Sequence, residues 1–247
     1  MNCYSPDLLE GKTILVTGAS KGLGRACVEG LVNCGARVIA VARTAADLES
    51  LAQTHGDRVE TWSVDISSAV FLERLESLVR LDGLLNNAGT NRVGFMTEQS
   101  AEDLDAVMNL NVRALWLTSR AAIPALKRAE TAAIVNMSSQ MGHIGSPRRT
   151  LYCMSKHAVE GLTKALALEL AAEGIRVNSV APTFVMTALT EPMMADPKFE
   201  EFVMSMIPMR KLATLEEVAN ACIFLLSDLS ASTTGSCLKV DGGWTAH

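Results

Sequence analysis

Short apolar runs rich in Val and Ile alternate along the chain with longer segments in which apolar residues recur at helical spacing. The runs are "TILVTG" at 13–18, "ARVIAVA" at 36–42, "VETWSVD" at 59–65, "GLLNNAG" at 83–89, "AAIVNMSS" at 132–139, "IRVNSVAP" at 175–182 and "SCLKVDGG" at 236–243. Between them the pattern predicts helices at 22–34, 45–55, 68–80, 101–128, about 151–172 and near 216–227. A continuous apolar run suits a strand covered on both faces, and strands alternating with helices imply right-handed crossovers. The expected fold class is α/β, a doubly wound parallel sheet with helices on both sides.

Capping signals fall at the same divisions. Thr44 with Asp47, Ser100 with Asp103, and Thr214 with Glu217 have the S/T-x-x-D/E spacing that satisfies free N–H groups at a helix start. Gly35, Gly56 and Gly174 stand where helices should stop. No linker, repeat or low-complexity stretch interrupts the series, so a single domain over 1–247 is expected. The one long irregular part, about 183–213, holds three prolines and six methionines and reads as a lid or substrate loop.

Composition narrows the classes of partner. With 247 residues, 49% hydrophobic and 20% charged, the chain can bury one good-sized core. A formal net charge of -5 with no block of Lys and Arg argues against nucleic acid and for a small molecule. No apolar run is long enough to cross a bilayer, and "MNCYSPDLLEGK" lacks the basic start and apolar centre of a signal peptide, so no membrane contact and a cytoplasmic location are expected. The six cysteines, Cys3, Cys27, Cys34, Cys153, Cys222 and Cys237, show no metal-ligand or disulfide spacing; they read as reduced, mostly small core residues, with no metal site.

The stretch "TGASKGLGRA" at 17–26 follows the first strand and opens the first helix, with Gly18, Gly22 and Gly24 in it. Such a turn offers unpaired N–H groups and the positive end of a helix dipole to a pyrophosphate, although the spacing G-x-x-x-G-x-G also fits an ordinary tight turn. The end of the second strand adds information. No acid lies between Val38 and Ala46 to hold a ribose 2'-hydroxyl, and Arg43 stands there instead. Arg43 with Lys21 reads as a clamp for a 2'-phosphate, which predicts NADP(H) over NAD(H).

Tyr152 and Lys156 lie four apart at the start of the helix near 151–172, hence on one face. As an isolated pair they also fit a helix-surface contact. A nearby ammonium favours the phenolate, which is how a tyrosine becomes a usable proton donor to a carbonyl oxygen. Ser138 and Ser139 end the strand "AIVNMSS", where side chains at the carboxyl ends of parallel strands line a crevice.

The set T-G-x-x-x-G-x-G at 17–24, "NNAG" at 86–89, "NLNVRA" around Asn111, and Ser139 followed by Tyr152 and Lys156 resembles the short-chain dehydrogenase/reductase family, over about 9–247. The resemblance implies a Rossmann-type sheet and a catalytic set of Asn111, Ser139, Tyr152 and Lys156. In it Tyr152 donates the proton, Ser139 holds the substrate oxygen, Lys156 binds the nicotinamide ribose and lowers the tyrosine pKa, and Asn111 holds a water in the proton relay. It also implies cofactor contacts from Gly18, Ser20, Lys21, Gly22, Leu23, Gly24, Arg43 and Thr44. Asp65 and Ile66 would lie at the adenine, and Asn87, Ala88 and Gly89 under its ribose. Pro182, Val185 and Thr187 would hold the carboxamide, although Pro182-Thr183 stands where many members have Pro-Gly.

Within that family "VARTAADLESL", "IVNMSSQ", "PTFVMT" and "CIFLLSDLSASTTGSCLKVDGGW" resemble the L-xylulose (dicarbonyl) reductases and related sugar or polyol dehydrogenases. That implies NADPH-dependent interconversion of a small ketose or dicarbonyl and its alcohol, in a homotetramer. Reduction of a 3-oxoacyl thioester and polyol oxidation remain alternatives. In the differing loop "QMGHIGSPRRTL", His143, Arg148 and Arg149 read as a solvated tip or as contacts to a polar or anionic substrate. Cys153 reads as a buried helix residue, Trp116 as core or subunit interface, and the methionines of 186–209 as pocket wall or lid packing.

Overall fold

The apolar runs become strands whose alternate residues feed two separate layers. In β1, Thr13–Thr17, Ile14 and Val16 enter one core and Leu15 the other. In β2, Arg37–Ala42, the same division puts Val38, Ala40 and Ala42 on one side and Ile39 and Val41 on the other. The remaining strands are β3 (Val59–Ser63), β4 (Gly83–Asn86), β5 (Ala132–Met137), β6 (Ile175–Pro182) and β7 (Cys237–Val240). In this computed structural model, residues 4–187 and 190–246 are described, and among them seven parallel strands pair in the order β3-β2-β1-β4-β5-β6-β7. The crossover direction reverses between β1 and β4, which opens a crevice at the carboxyl ends of the strands.

One face carries α1 (Gly22–Asn33), α2 (Ala45–His55) and α9 (Leu215–Leu226). Gly30 lets α1 and α9 cross closely, since a Cβ there would lie 2.9 Å from Ile223. The other face carries α3 (Ala69–Glu76), α5 (Leu115–Leu126) and α6 (Thr150–Leu170). Capping boxes form at Ser100/Asp103, which starts α4 (Ala101–Met108), and at Thr214/Glu217. The expected box at Thr44 does not form. Its hydroxyl takes no cap bond, and the Asp47 carboxylate, the other half of the box, pairs with Lys21, 3.2 Å away.

Two further expectations are corrected. The helix expected at 68–80 ends at Glu76, where the Ser77 hydroxyl bonds back to the Arg74 carbonyl and Arg128 draws the carbonyls of Leu78 and Val79 away from a helical path. The segment 183–213 is not irregular. It folds α7 (Glu191–Met194) and α8 (Pro197–Met206), with Asp196 capping α8, and packs Phe184, Phe199 and Trp244 around Val203 and Ile207. Of the two readings of Trp116, core or subunit interface, the first is excluded, since it is 47% exposed on α5, near Arg120. Cys27, Cys34 and Cys222 are buried thiols, Cys153 and Cys237 are half-buried, and Cys3 lies outside the described residues, as do Ala188 and Leu189 of the expected lid. Among the described residues no helix is long and apolar enough to cross a membrane.

Candidate active site

The crevice beside β1 is shaped first by glycine. Gly18 has φ +66°, and a Cβ there would meet Ala88 Cα at 2.9 Å. A Cβ on Gly24 would fall 2.1 Å from the Gly18 carbonyl oxygen, inside contact distance of backbone that cannot move aside. Gly22 also has positive φ, +53°, but a Cβ there would make only ordinary contact with Thr187, at 3.7 Å. Thr17 ties this turn to the end of β4: its hydroxyl accepts from Asn87 N (3.0 Å) and Ala88 N (3.1 Å), and the Asn87 amide donates to the carbonyls of Thr17 and Gly18. No side chain caps the first turn of α1, so its N–H groups remain available to an anion. The residues present therefore fit a dinucleotide diphosphate: a turn without side chains, an uncapped helix start, and cations at its rim.

Those cations are Lys21 and Arg43. Arg43 is exposed at the end of β2 and lies near Asp65, whose carboxyl is held below its usual range by Ser67 hydrogen bonds and by the Arg43 charge. Lys21 does not wait unpaired, contrary to the simplest reading of the motif; it pairs with Asp47 through a side chain that is 73% exposed. An exposed pair of this kind is worth less than about 1 kcal/mol, whereas a charge-assisted bond to a phosphate is worth about 1.5–3 kcal/mol. A phosphate oxygen within reach would therefore outcompete Asp47 for the lysine.

Further along the crevice a cavity of about 300 Å³ brings together Ser139, Tyr152, Lys156, Asn87, Gly89 and Pro182, residues separated by up to 95 positions in the chain. Each is fixed by its own element. Ser139 follows β5 and accepts from Met141 N at 3.2 Å, which leaves its hydroxyl proton free to donate. Lys156, on α6, is buried and donates to the Met137 carbonyl at 2.6 Å, with its ammonium 5.5 Å from the centre of the Tyr152 ring. Burial lowers Lys156 to about 8, against an opposing pull from Glu160. Burial also pushes the Tyr152 phenol up, with Ser139 and Arg149 opposing. At neutral pH the pair is thus a neutral phenol beside an ammonium, the arrangement of a proton donor.

Asn111 sits in a π-helical stretch, Asn109–Ala114, that joins α4 to α5. The extra residue in the turn rotates its side chain inward. Its amide donates to the Thr90 carbonyl (2.9 Å) and Ser155 hydroxyl (3.0 Å), and its oxygen accepts from Thr90 N (2.7 Å). Ser155 in turn donates to the Tyr152 carbonyl at 2.8 Å, so Asn111 links the loop after β4 to the first turn of α6. Deeper in the sheet, Asn86, the first residue of "NNAG", bridges to Ser119 and Asn136 in a buried polar seam.

Thr183 has no positive φ and its N–H donates to Val240, so this position does not require the glycine that many members carry. Leu23, Val185 and Thr187 line the cavity beside it. Among the methionines, Met193 forms cavity wall and Met194 packs in the α8 cluster, so both open readings hold, for different residues. The loop before α6 separates its three basic residues. His143 turns away to Cys237 (3.1 Å) and Glu160 (3.5 Å), Arg148 lies over the Phe95 ring at 5.4 Å, and Arg149 is buried in the cavity wall, not solvated.

Comparison with known proteins agrees with this geometry. Residues 18–245 match the family model described as enoyl-(acyl carrier protein) reductase. The chain is 42% identical over 240 residues to L-xylulose reductase of Homo sapiens, covering 96% of this chain and 98% of that one. It is 40% identical over 238 residues to a carbonyl reductase of Sus scrofa named for its use of NADPH, covering 96% and 97%. A crystal structure from Beutenbergia cavernae, proposed to be an NAD(P)-dependent gluconate 5-dehydrogenase and holding bound NADP, superposes with a TM-score of 0.91 at 35% identity, covering 98% of this chain and 100% of that one.

Proposed function

Because the chain belongs to the short-chain dehydrogenase/reductase family, we propose that it reduces a small ketose or dicarbonyl with NADPH, Tyr152 supplying the proton. The observation that carries the reading is the single cavity lined by Ser139, Tyr152 and Lys156 next to the Gly18–Gly24 cradle. NADPH, when bound, supplies the hydride to the carbonyl carbon. Ser139 donates to the carbonyl oxygen and orients it, and Tyr152 passes its phenolic proton to that oxygen as charge develops on it. Lys156 holds the nicotinamide ribose and stabilises the phenolate left behind. Asn111, fixed in its π-turn, holds a water through which the phenolate regains a proton. Lys21 and Arg43 hold the 2'-phosphate, with Ser20, Gly22, Leu23 and Thr44 around it. Asp65 and Ile66 flank the adenine, Asn87, Ala88 and Gly89 its ribose, and Pro182, Val185 and Thr187 the carboxamide.

Names of relatives support the substrate class: L-xylulose reductase and a carbonyl reductase are similar over nearly the whole chain. A thioester on an acidic carrier would need a basic docking face, and Arg148 and Arg149 do not form one, since one lies on Phe95 and the other lines the cavity. A cytoplasmic homotetramer completes the reading. Its support is the apolar surface left on the helices, Trp116 on α5 at 47% and Leu168 on α6 at 85% exposure.

The direct test is the initial rate of NADPH and NADH oxidation with L-xylulose, diacetyl, other ketoses and an acetoacetyl thioester. Ketose or diketone turnover with NADPH preferred is the expected result; thioester turnover alone would overturn the substrate class. The pH profile gives a second test. Lys156 is depressed to about 8, so its ammonium is lost as pH rises through that value, while the Tyr152 phenol stays protonated to higher pH. The expected outcome is a kcat/KM for reduction that is flat near neutrality and falls above about pH 8. A reductive rate that climbs steadily to pH 9 would contradict the assignment.

A further inference from the structure

Arg149 is the most deeply placed charge in the cavity wall that the proposed reaction leaves without a task. It is the residue before α6, three positions from Tyr152, and it is 95% buried by surface area, with 5% left exposed. A guanidinium stays charged at any physiological pH and carries five donors in a planar fork suited to a carboxylate. Here, among the described residues, its side chain bonds only to the Met193 thioether sulfur at 3.2 Å, a weak acceptor, and no carboxylate pairs with it. The charges that act on it are those of Tyr152, Arg148 and Cys153, none of them an aspartate or glutamate. A buried charge is normally paired, and this one opens into the space where the substrate must lie.

The same cavity gathers other polar atoms with nothing to bond. Of the six buried side-chain oxygens and nitrogens that make no hydrogen bond among the described residues, four line it: Asn91 Oδ1, Ser138 Oγ, Gln140 Oε1 and Thr183 Oγ1. Thr183 follows Pro182 in the stretch given above to the nicotinamide, which leaves three for the substrate. Gln140 is next to Ser139, and glycine at 142 leaves room for the Ser138 hydroxyl, which a Cβ there would approach to 2.9 Å. Acceptor oxygens flanking the reacting carbonyl suit hydroxyl groups on neighbouring carbons.

We propose that the natural substrate is a polyhydroxy keto acid whose carboxylate seats on Arg149 while its carbonyl lies between Ser139 and Tyr152. The inference rests on the carbonyl-reductase reading and narrows its substrate. The carboxylate takes no part in the chemistry. Hydride and proton add across the ketone as before, and the product is the corresponding polyhydroxy acid. Arg149 acts by binding: it selects the acid over a neutral sugar of the same length and fixes which carbonyl faces Tyr152.

The experiment compares 5-keto-D-gluconate with the neutral six-carbon ketose L-sorbose, and with L-xylulose and diacetyl, as NADPH-dependent substrates of the full chain and of Arg149→Gln and Arg149→Lys. The wild-type kcat/KM should favour the keto acid over the neutral ketose, and Arg149→Gln should lower that ratio by about 100-fold or more. Arg149→Lys, which keeps the charge but loses the fork, should lower it by about tenfold, and it carries the test if the glutamine variant no longer binds NADPH in a fluorescence titration. A ratio that moves less than about threefold in a variant that still binds NADPH overturns the carboxylate seat. Turnover of neutral ketones by the wild type with no preference for the acid overturns it too, while leaving the reductase standing. No turnover of any carbonyl overturns the reductase reading and this inference with it.

Discussion

Replacing Tyr152 by phenylalanine lowers kcat for carbonyl reduction by about 100- to 10,000-fold, the range that a positioned general acid contributes. NADPH binding survives. The ring keeps its place against the Lys156 ammonium, 5.5 Å from the ring centre, and the cradle built from Gly18, Gly24 and Asn87 is untouched. The loss therefore falls on kcat and not on the cofactor Kd, and a fluorescence titration beside the rate measurement separates the two. The variant removes one hydroxyl whose proton lies ready at neutral pH because burial raises the phenol. Full turnover by Tyr152→Phe would remove Tyr152 from the proton-donor role and leave the fold assignment intact.

The next largest effect is on cofactor choice. Lys21→Ala and Arg43→Ala each lower the NADPH/NADH ratio of kcat/KM by about 10- to 150-fold, the equivalent of one charge-assisted hydrogen bond at about 1.5–3 kcal/mol. Arg43→Asp goes further and inverts the preference, because it removes the phosphate contact and offers a carboxylate to a bare ribose hydroxyl. Arg43 is free to swing, being exposed, and Lys21 gives up only its exposed contact with Asp47. The losses should shrink at high salt, since both groups sit in solvent. A preference unmoved in Arg43→Asp would mean that the 2'-phosphate is held elsewhere.

Local chemistry made much of this site legible before folding was considered. Gly18 and Gly24 are forced by contacts within a few residues or with the adjoining strand end, so their spacing carries the turn. Tyr152 and Lys156 share a helix, and a four-residue offset on a helix has one outcome. Asn111 was legible only by resemblance, because nothing in "NLNVRA" states that its helix contains a π-turn. The Thr44 box failed for a related reason. Its spacing was right, but Asp47 found Lys21 across the turn, and a sequence spacing cannot rank a local cap against a partner 26 residues away. The segment 183–213 was misjudged because prolines at 192, 197 and 208 looked like interruptions, whereas Pro197 opens α8, where a missing N–H costs nothing.

By itself the sequence determined the layers and their order. Seven apolar runs alternating with amphipathic segments admit few packings other than a covered parallel sheet, and period-two alternation within each run decides which residue enters which layer. What only the tertiary structure decided is the company each charged side chain keeps. Three basic residues in one loop read alike, yet His143 turns to Cys237 and Glu160, Arg148 covers Phe95, and Arg149 enters the cavity without a counter-charge. Hydrophobic periodicity acts over a few residues and survives in the sequence, whereas burial and electrostatic pairing depend on atoms brought together from distant segments. For that reason the reaction could be read from motifs, and the group that selects its substrate emerged only once Met193 and Ser139 lay beside Arg149 in one wall.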